Sequence, residues 1–106
     1  MAASRIEVFE QMLESDPDNT MVLFGLAKEY EKSGRHAEVV ATLTKYLQLF
    51  NDEGNAYGML AQAHEHLGNR DAARDAYRRG IEVATAHGHP SMAEDYRMTL
   101  ENEYGD

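Results

Sequence analysis

The sequence predicts an all-α fold, a solenoid of antiparallel helix pairs with about six helices. Three observations carry this. Between Thr20 and His87 a 34-residue unit is written twice: Leu23 matches Tyr57, Leu26 matches Leu60, Ala27 matches Ala61, Gly34 matches Gly68, Leu43 matches Tyr77 and Leu47 matches Ile81. A fixed period of this length marks a repeat architecture, in which each unit buries its apolar face only by stacking on a neighbour. Within each unit the apolar residues recur at helical spacing. Small residues recur at Ala27, Ala61, Ala73 and Gly80, where close approach of two helices demands them.

The first helix is predicted over residues 4–15. Ser4 and Glu7 have the spacing of a capping box, and Ile6, Phe9 and Leu13 form its apolar stripe. One period separates these three from Val40, Leu43 and Leu47, so the helix reads as the second half of a repeat whose first half is missing. The turn Asp16-Pro17-Asp18-Asn19 follows, with Asp18 or Asn19 as N-cap of the next helix.

Repeat 1 spans residues 20–53 and repeat 2 residues 54–87. In repeat 1, Leu23, Leu26, Ala27 and Tyr30 make one helical stripe. Gly34 stands where the chain must turn, and a second stripe runs through Val39, Val40, Leu43, Tyr46, Leu47 and Phe50. So short a break makes the two helices antiparallel neighbours. Repeat 2 does the same with Tyr57, Leu60, Ala61 and His64, then Gly68, then Ala73, Tyr77, Gly80, Ile81 and Ala84, with Asn69 as the expected N-cap of its second helix. Asp75 and Arg79 have i, i+4 spacing for an ion pair worth ~0.3 kcal/mol.

The last helix, residues 90–104, starts at Pro90 after Gly88 and falls out of phase with the repeat. Strict register would bury Ser91, Glu94 and Asp95, whereas a slip of two residues buries Ala93, Tyr96 and Leu100. It is expected to cap the array, its acidic face keeping the end soluble. All 106 residues thus form one domain.

The pattern resembles the tetratricopeptide repeat. The positions that carry the resemblance are Leu23/Tyr57, Leu26/Leu60, Ala27/Ala61, Tyr30/His64, Gly34/Gly68, Val39/Ala73, Leu43/Tyr77 and Tyr46/Gly80. The proline that closes the family's unit is replaced by Asn51 and Thr85. The resemblance implies a right-handed solenoid and a concave groove that binds a peptide or helix of another protein. By phase, the groove positions include Met21, Phe24, Lys28, Glu31 and Lys32, then Asn55, Met59, Gln62, Glu65 and His66. Gly25 and Gly58 also fall there. Met21, Phe24 and Met59 are the expected apolar anchors, and Lys28, Lys32, Gln62 and Glu65 the groups that orient a partner. One branch of the family grips carboxylate termini with Lys and Asn at the positions of Phe24, Lys28 and Met59, so capture of that kind is not expected here.

Composition sets further bounds. Ten basic and 19 acidic residues give a net charge of −9, against the basic surface that nucleic acid requires. Cysteine is absent, which removes disulfides, thiolate nucleophiles and zinc–thiolate sites and fits a reducing compartment. The N-terminus lacks a signal-peptide pattern, and no apolar run approaches the ~20 residues that span a bilayer. A soluble cytoplasmic protein without a membrane partner is expected. No phosphate loop, nucleophile elbow or metalloprotease motif occurs, so neither an enzyme nor a cofactor is expected.

No metal is expected either. His64 and His66 lie two apart on a helix and diverge by ~200°, and His87 and His89 offer only two neutral ligands. His64 falls in an aromatic slot and is read as a hydrogen-bonded packing residue. A second reading of function is structural. The half-repeat helix lacks its usual neighbour, and a second copy would cover Ile6, Phe9 and Leu13 in a two-fold homodimer.

Overall fold

The structure, a computed structural model, describes residues 4–106. Among them are six α-helices and no strand: α1 Arg5–Ser15, α2 Thr20–Lys32, α3 His36–Leu49, α4 Asn55–His66, α5 Arg70–Ala86 and α6 Pro90–Tyr104. They condense into two compact units, one with α1–α3 up to residue 51 and one with α4–α6 over residues 52–106.

Local chemistry sets the helix ends. Ser4 Oγ accepts from the Glu7 amide at 3.2 Å, and Asn19 Oδ1 accepts from the Val22 amide at 3.1 Å. Of the two cap candidates, Asn19 therefore takes the role. Both interhelical turns of the repeats are built alike. Gly34 has φ +70° and Gly68 φ +78°, and one residue later Arg35 and Asn69 donate their amides to the carbonyls of Tyr30 and His64 at 2.9 and 2.8 Å. Only glycine enters that left-handed backbone without steric cost.

Asn69 stands at the N-cap of α5 as expected, but its side chain makes no capping bond. Its amide turns back to within 3.4 Å of His64 Nδ1. At the start of α4 the sequence suggested no cap, but Asp52 supplies one. Its buried carboxylate accepts from the amides of Gly54 at 2.8 Å and Ala56 at 3.0 Å, satisfying donors that a glycine N-cap leaves bare.

In the first unit the core lies between α2 and α3. Leu23, Leu26, Ala27 and Tyr30 meet Val39, Leu43 and Tyr46, all buried as the stripes predict. In the second unit Ala61, Ala73, Ala76 and Tyr77 form the core with Leu100 and Tyr104 of α6, and Leu60, Ile81 and Tyr96 pack against it. The two-residue slip of α6 holds: Ala93 and Leu100 are buried, Tyr96 is half-buried, and Glu94 and Asp95 are exposed. After α6 the chain turns at Gly105, and the Asp106 carboxylate reaches Arg78 at 2.8 Å and Arg74 at 3.6 Å on α5.

Two further expectations change. Arg79 does not pair with Asp75, and its guanidinium lies over the Tyr57 ring, 5.5 Å from the centroid. On α1, Ile6, Phe9 and Leu13 are not left bare. All three are half-buried, and the Phe9 ring lies so close to Gly25 that a Cβ there would stand 3.3 Å from it. The outward apolar residues of α1 are instead Val8 and Met12, 41% and 44% exposed.

Candidate functional site

In the first unit the groove positions of α2 divide by depth. Met21 stands almost free at 85% exposure, and Lys28, Glu31 and Lys32 are exposed. Phe24 is half-buried, its ring tilted against Tyr46 at a centroid distance of 5.1 Å. Tyr46 in turn stacks on Phe50 at 5.4 Å. Thr20, Met21, Phe24, Tyr46 and Phe50 line a mainly apolar cavity of about 240 Å³. Helical spacing explains part of this: Thr20 and Phe24 lie one turn apart on α2, and Phe50, the C-cap of α3, follows Tyr46 by four residues and stacks on it.

The charges around this face have settled differently. Lys32 reaches Glu29 at 3.3 Å, and Lys45 reaches Asp18 at 3.6 Å. Lys28 makes no ion pair with any described residue, and its Nζ lies 5.2 Å from the centre of the Phe24 ring. At the far end of α2 the Tyr30 hydroxyl donates to Glu10 at 2.5 Å, with the Arg35 guanidinium over its ring. Burial first, and Glu10 second, push the Tyr30 hydroxyl up to about 12. That corner is structural.

In the second unit Asn55, Met59, Gln62 and His66 share one stripe of α4 at helical spacing. Asn55, Gln62 and His66 are exposed and Met59 is half-buried. Glu65 leaves that set. Its carboxylate accepts from the Tyr77 hydroxyl at 3.1 Å and from Tyr104 at 2.6 Å. It faces a cavity of about 620 Å³ lined also by Arg70, Thr99 and Glu103. The reason is rotation: Glu65 is three residues beyond Gln62, and the adjoining α5 and α6 place two phenols on its side of the helix.

Gly58, another groove position, is occupied from within. Tyr96 lies against Gly58 and Gly80, and its hydroxyl donates to the Gly54 carbonyl at 2.9 Å. The last helix thus fills the slot at the start of α4.

The histidines fall apart from one another. His64 is half-buried, and desolvation lowers its pKa below the usual imidazole value. His89 Nε2 lies 2.6 Å from Glu53 Oε1, which holds the Glu53 carboxyl below its ordinary range. No group of three metal-ligating side chains forms among the described residues.

Sequence reasoning placed Tyr46 and Phe50 in the core stripe and missed that they also wall a cavity. The signal was present one period later. The positions of Phe24, Tyr46 and Phe50 are matched by Gly58, Gly80 and Ala84, a change from large to small at three places together.

Turn-linked antiparallel helix pairs, repeated at one period with glycine turns of the same geometry, define a helical-repeat protein. Comparison with known proteins shows what it is similar to. Residues 54–87 match the model described as tetratricopeptide repeat. Over 95 residues, 90% of this chain and 90% of the relative, the sequence is 29% identical to the TPR repeat-containing protein PA0015 of Pseudomonas aeruginosa. Among solved structures, that of MamA matches in fold with a TM-score of 0.71 at 24% identity, covering 94% of this chain and 67% of that one. The chain thus resembles tetratricopeptide-repeat proteins, with one repeat matched over residues 54–87. The fold is one that generally mediates protein–protein interaction. Among the described residues no helix is long and apolar enough to cross a membrane.

Proposed function

We propose that the protein is a non-catalytic interaction module that binds a segment of another protein on the exposed face of α2, the first helix of its first repeat. The observation that carries this is the α2 face. A methionine that is 85% exposed stands at the rim of an apolar cavity walled by three aromatic rings. An isolated exposed methionine needs no explanation, but one beside an open aromatic cavity is a surface suited to capture. The unbranched thioether adapts to partners of different shape.

Met21 is the cleaner test residue, because Phe24 is half-buried against Tyr46 and its loss would also loosen the core. A pull-down from source lysate with wild type and Met21→Glu, with melting curves for both, tests the reading. The expected outcome is a specific partner lost from the variant at unchanged melting temperature. Equal recovery by both proteins would reject the α2 face.

A second reading, self-association, is supported by the exposure of Val8 and Met12 on the outer side of α1. Ile6, Phe9 and Leu13 are half-buried, so Phe9→Asp would disturb the fold as well as any dimer and does not separate the two. Light scattering over a range of concentrations, with Met12→Asp as the variant, tests this reading. A monomer throughout would discard it.

A further inference from the structure

We propose that the cavity between α2 and α3 of the first unit takes one bulky apolar side chain, leucine, methionine or phenylalanine, from an acidic segment of a partner protein, with Lys28 pairing the flanking carboxylate. The proposal rests on the reading of the α2 face as a protein-binding surface and specifies what that surface recognises.

Size comes first. An apolar cavity of about 150 Å³ is enough to hold benzene. The 240 Å³ walled by Phe24, Tyr46 and Phe50 therefore suits one branched or aromatic side chain, not a helix laid on its side. The walls are rigid rings in mutual contact, at 5.1 and 5.4 Å, and Phe50 is still 47% exposed at the mouth.

The molecule also carries a precedent for this mode of capture. One period later the matching positions are Gly54, Gly58, Gly80 and Ala84. There a single aromatic side chain, Tyr96, lies against Gly58 and Gly80 with its hydroxyl on the Gly54 carbonyl. In the second unit this repeat position receives one large side chain from the chain itself. In the first unit the same position is lined by aromatic rings, with a cavity among them.

Charge gives the second half of the recognition. Lys32 and Lys45 are drawn to Glu29 and Asp18, whereas Lys28 sits over the Phe24 ring without a carboxylate partner among the described residues. The net charge of −9 acts at long range and is screened beyond ~8 Å in physiological salt, so the cation beside the cavity decides the contact. Glu31 is exposed one turn further along α2 and bounds the segment of a partner that Lys28 serves.

The test is an immobilised array of short peptides. The central residue is Leu, Met, Phe, Ala or Ser, and the flanks are Asp/Glu, Ser/Gly or Lys. It is probed with the full-length wild type, Lys28→Glu and Met21→Glu, each with its melting curve. Wild type is expected to retain acidic peptides with a large apolar centre about tenfold better than those centred on Ser. Lys28→Glu is expected to melt as wild type and to move the preference from acidic to Lys flanks. Equal or better retention of Lys-flanked peptides by wild type would overturn the proposal. So would indifference to the central residue, unchanged preference in Lys28→Glu, or retention of no peptide. If the lysate partner is lost with Met21→Glu while the array shows none of this selectivity, the specific recognition fails and the interaction surface stands. If the lysate shows no dependence on Met21, the surface itself fails.

Discussion

The two units solve the same packing problem with different side chains. In the first, the flanking helix α1 is held through Ile6, Phe9 and Leu13, none fully buried, and one ring rests on one glycine, Gly25. In the second, α6 buries Ala93, Leu100 and Tyr104 and inserts Tyr96 against two glycines, Gly58 and Gly80. Each unit ties a flanking helix to a tyrosine–carboxylate contact, but the first has one such bond, Tyr30 to Glu10, and the second has two on Glu65. Small residues on the receiving helices let a large side chain enter. Large residues there pack as rings on one another instead. The second unit fills this repeat position with Tyr96, and the first lines it with aromatic rings.

The largest effect that would sharpen this contrast is expected from Tyr96→Ala. Removing a ring packed between helices, with its hydrogen bond to Gly54, should cost about 3 kcal/mol in denaturant unfolding. Phe9→Ala should cost about 1 kcal/mol, because much of that ring's surroundings is already wet. Equal losses would show that the two flanking helices are seated equally well. Next comes Glu65→Ala, expected to cost about 2 kcal/mol by stranding the Tyr77 and Tyr104 hydroxyls, against about 1 kcal/mol for Glu10→Ala. The same unfolding curves report both.

Glycine substitutions should differ in sign. A Cβ on Gly58 would lie 2.6 Å from the Tyr96 hydroxyl, so Gly58→Ala should destabilise by about 1 kcal/mol. A Cβ on Gly25 would lie 3.3 Å from the edge of Phe9, a ring with room to give, so Gly25→Ala should be neutral or gain a few tenths of a kcal/mol from helix propensity, up to about 0.5. Matching signs in thermal melts would remove the contrast between the two slots.

The smallest expected effect is acid sensitivity from His64. Its folded pKa lies below its unfolded value because desolvation disfavours the cation. The unfolded chain therefore binds the proton first. Stability is fully present above the unfolded pKa near 6.5 and falls as pH drops through and below it. Melting temperature should decline slightly between about pH 7.5 and about 5.5, and His64→Gln should flatten that decline. The same slope in both proteins would place the acid sensitivity elsewhere.

Much of this architecture can be read from the chain. The stripe Leu23, Leu26, Ala27, Tyr30 and its copy place the repeat helices because 3.6-residue periodicity is a local property. Gly34 and Gly68 place the turns because few other residues enter the left-handed region. The slip of α6 is legible because charge at Glu94 and Asp95 excludes the strict register. Local pattern says which face of a helix is apolar, but not which side chain from another helix will meet it. Glu65 and Gln62 look alike along α4 until Tyr77 and Tyr104 arrive from α5 and α6. Asn69 has the residue type of a cap, yet a nearby imidazole competes for its side chain.

The sequence by itself determined the helices, their order, the turns and the repeat register, since each depends on interactions within one turn or one period. The tertiary structure alone decided that Phe9 and Tyr96 fill glycine slots, that Glu65 serves two tyrosines, and that Phe24, Tyr46 and Phe50 wall a cavity with Lys28 beside it. Those outcomes depend on side chains far apart in sequence meeting at ångström distances, and packing at that scale is settled only when all the neighbours are in place.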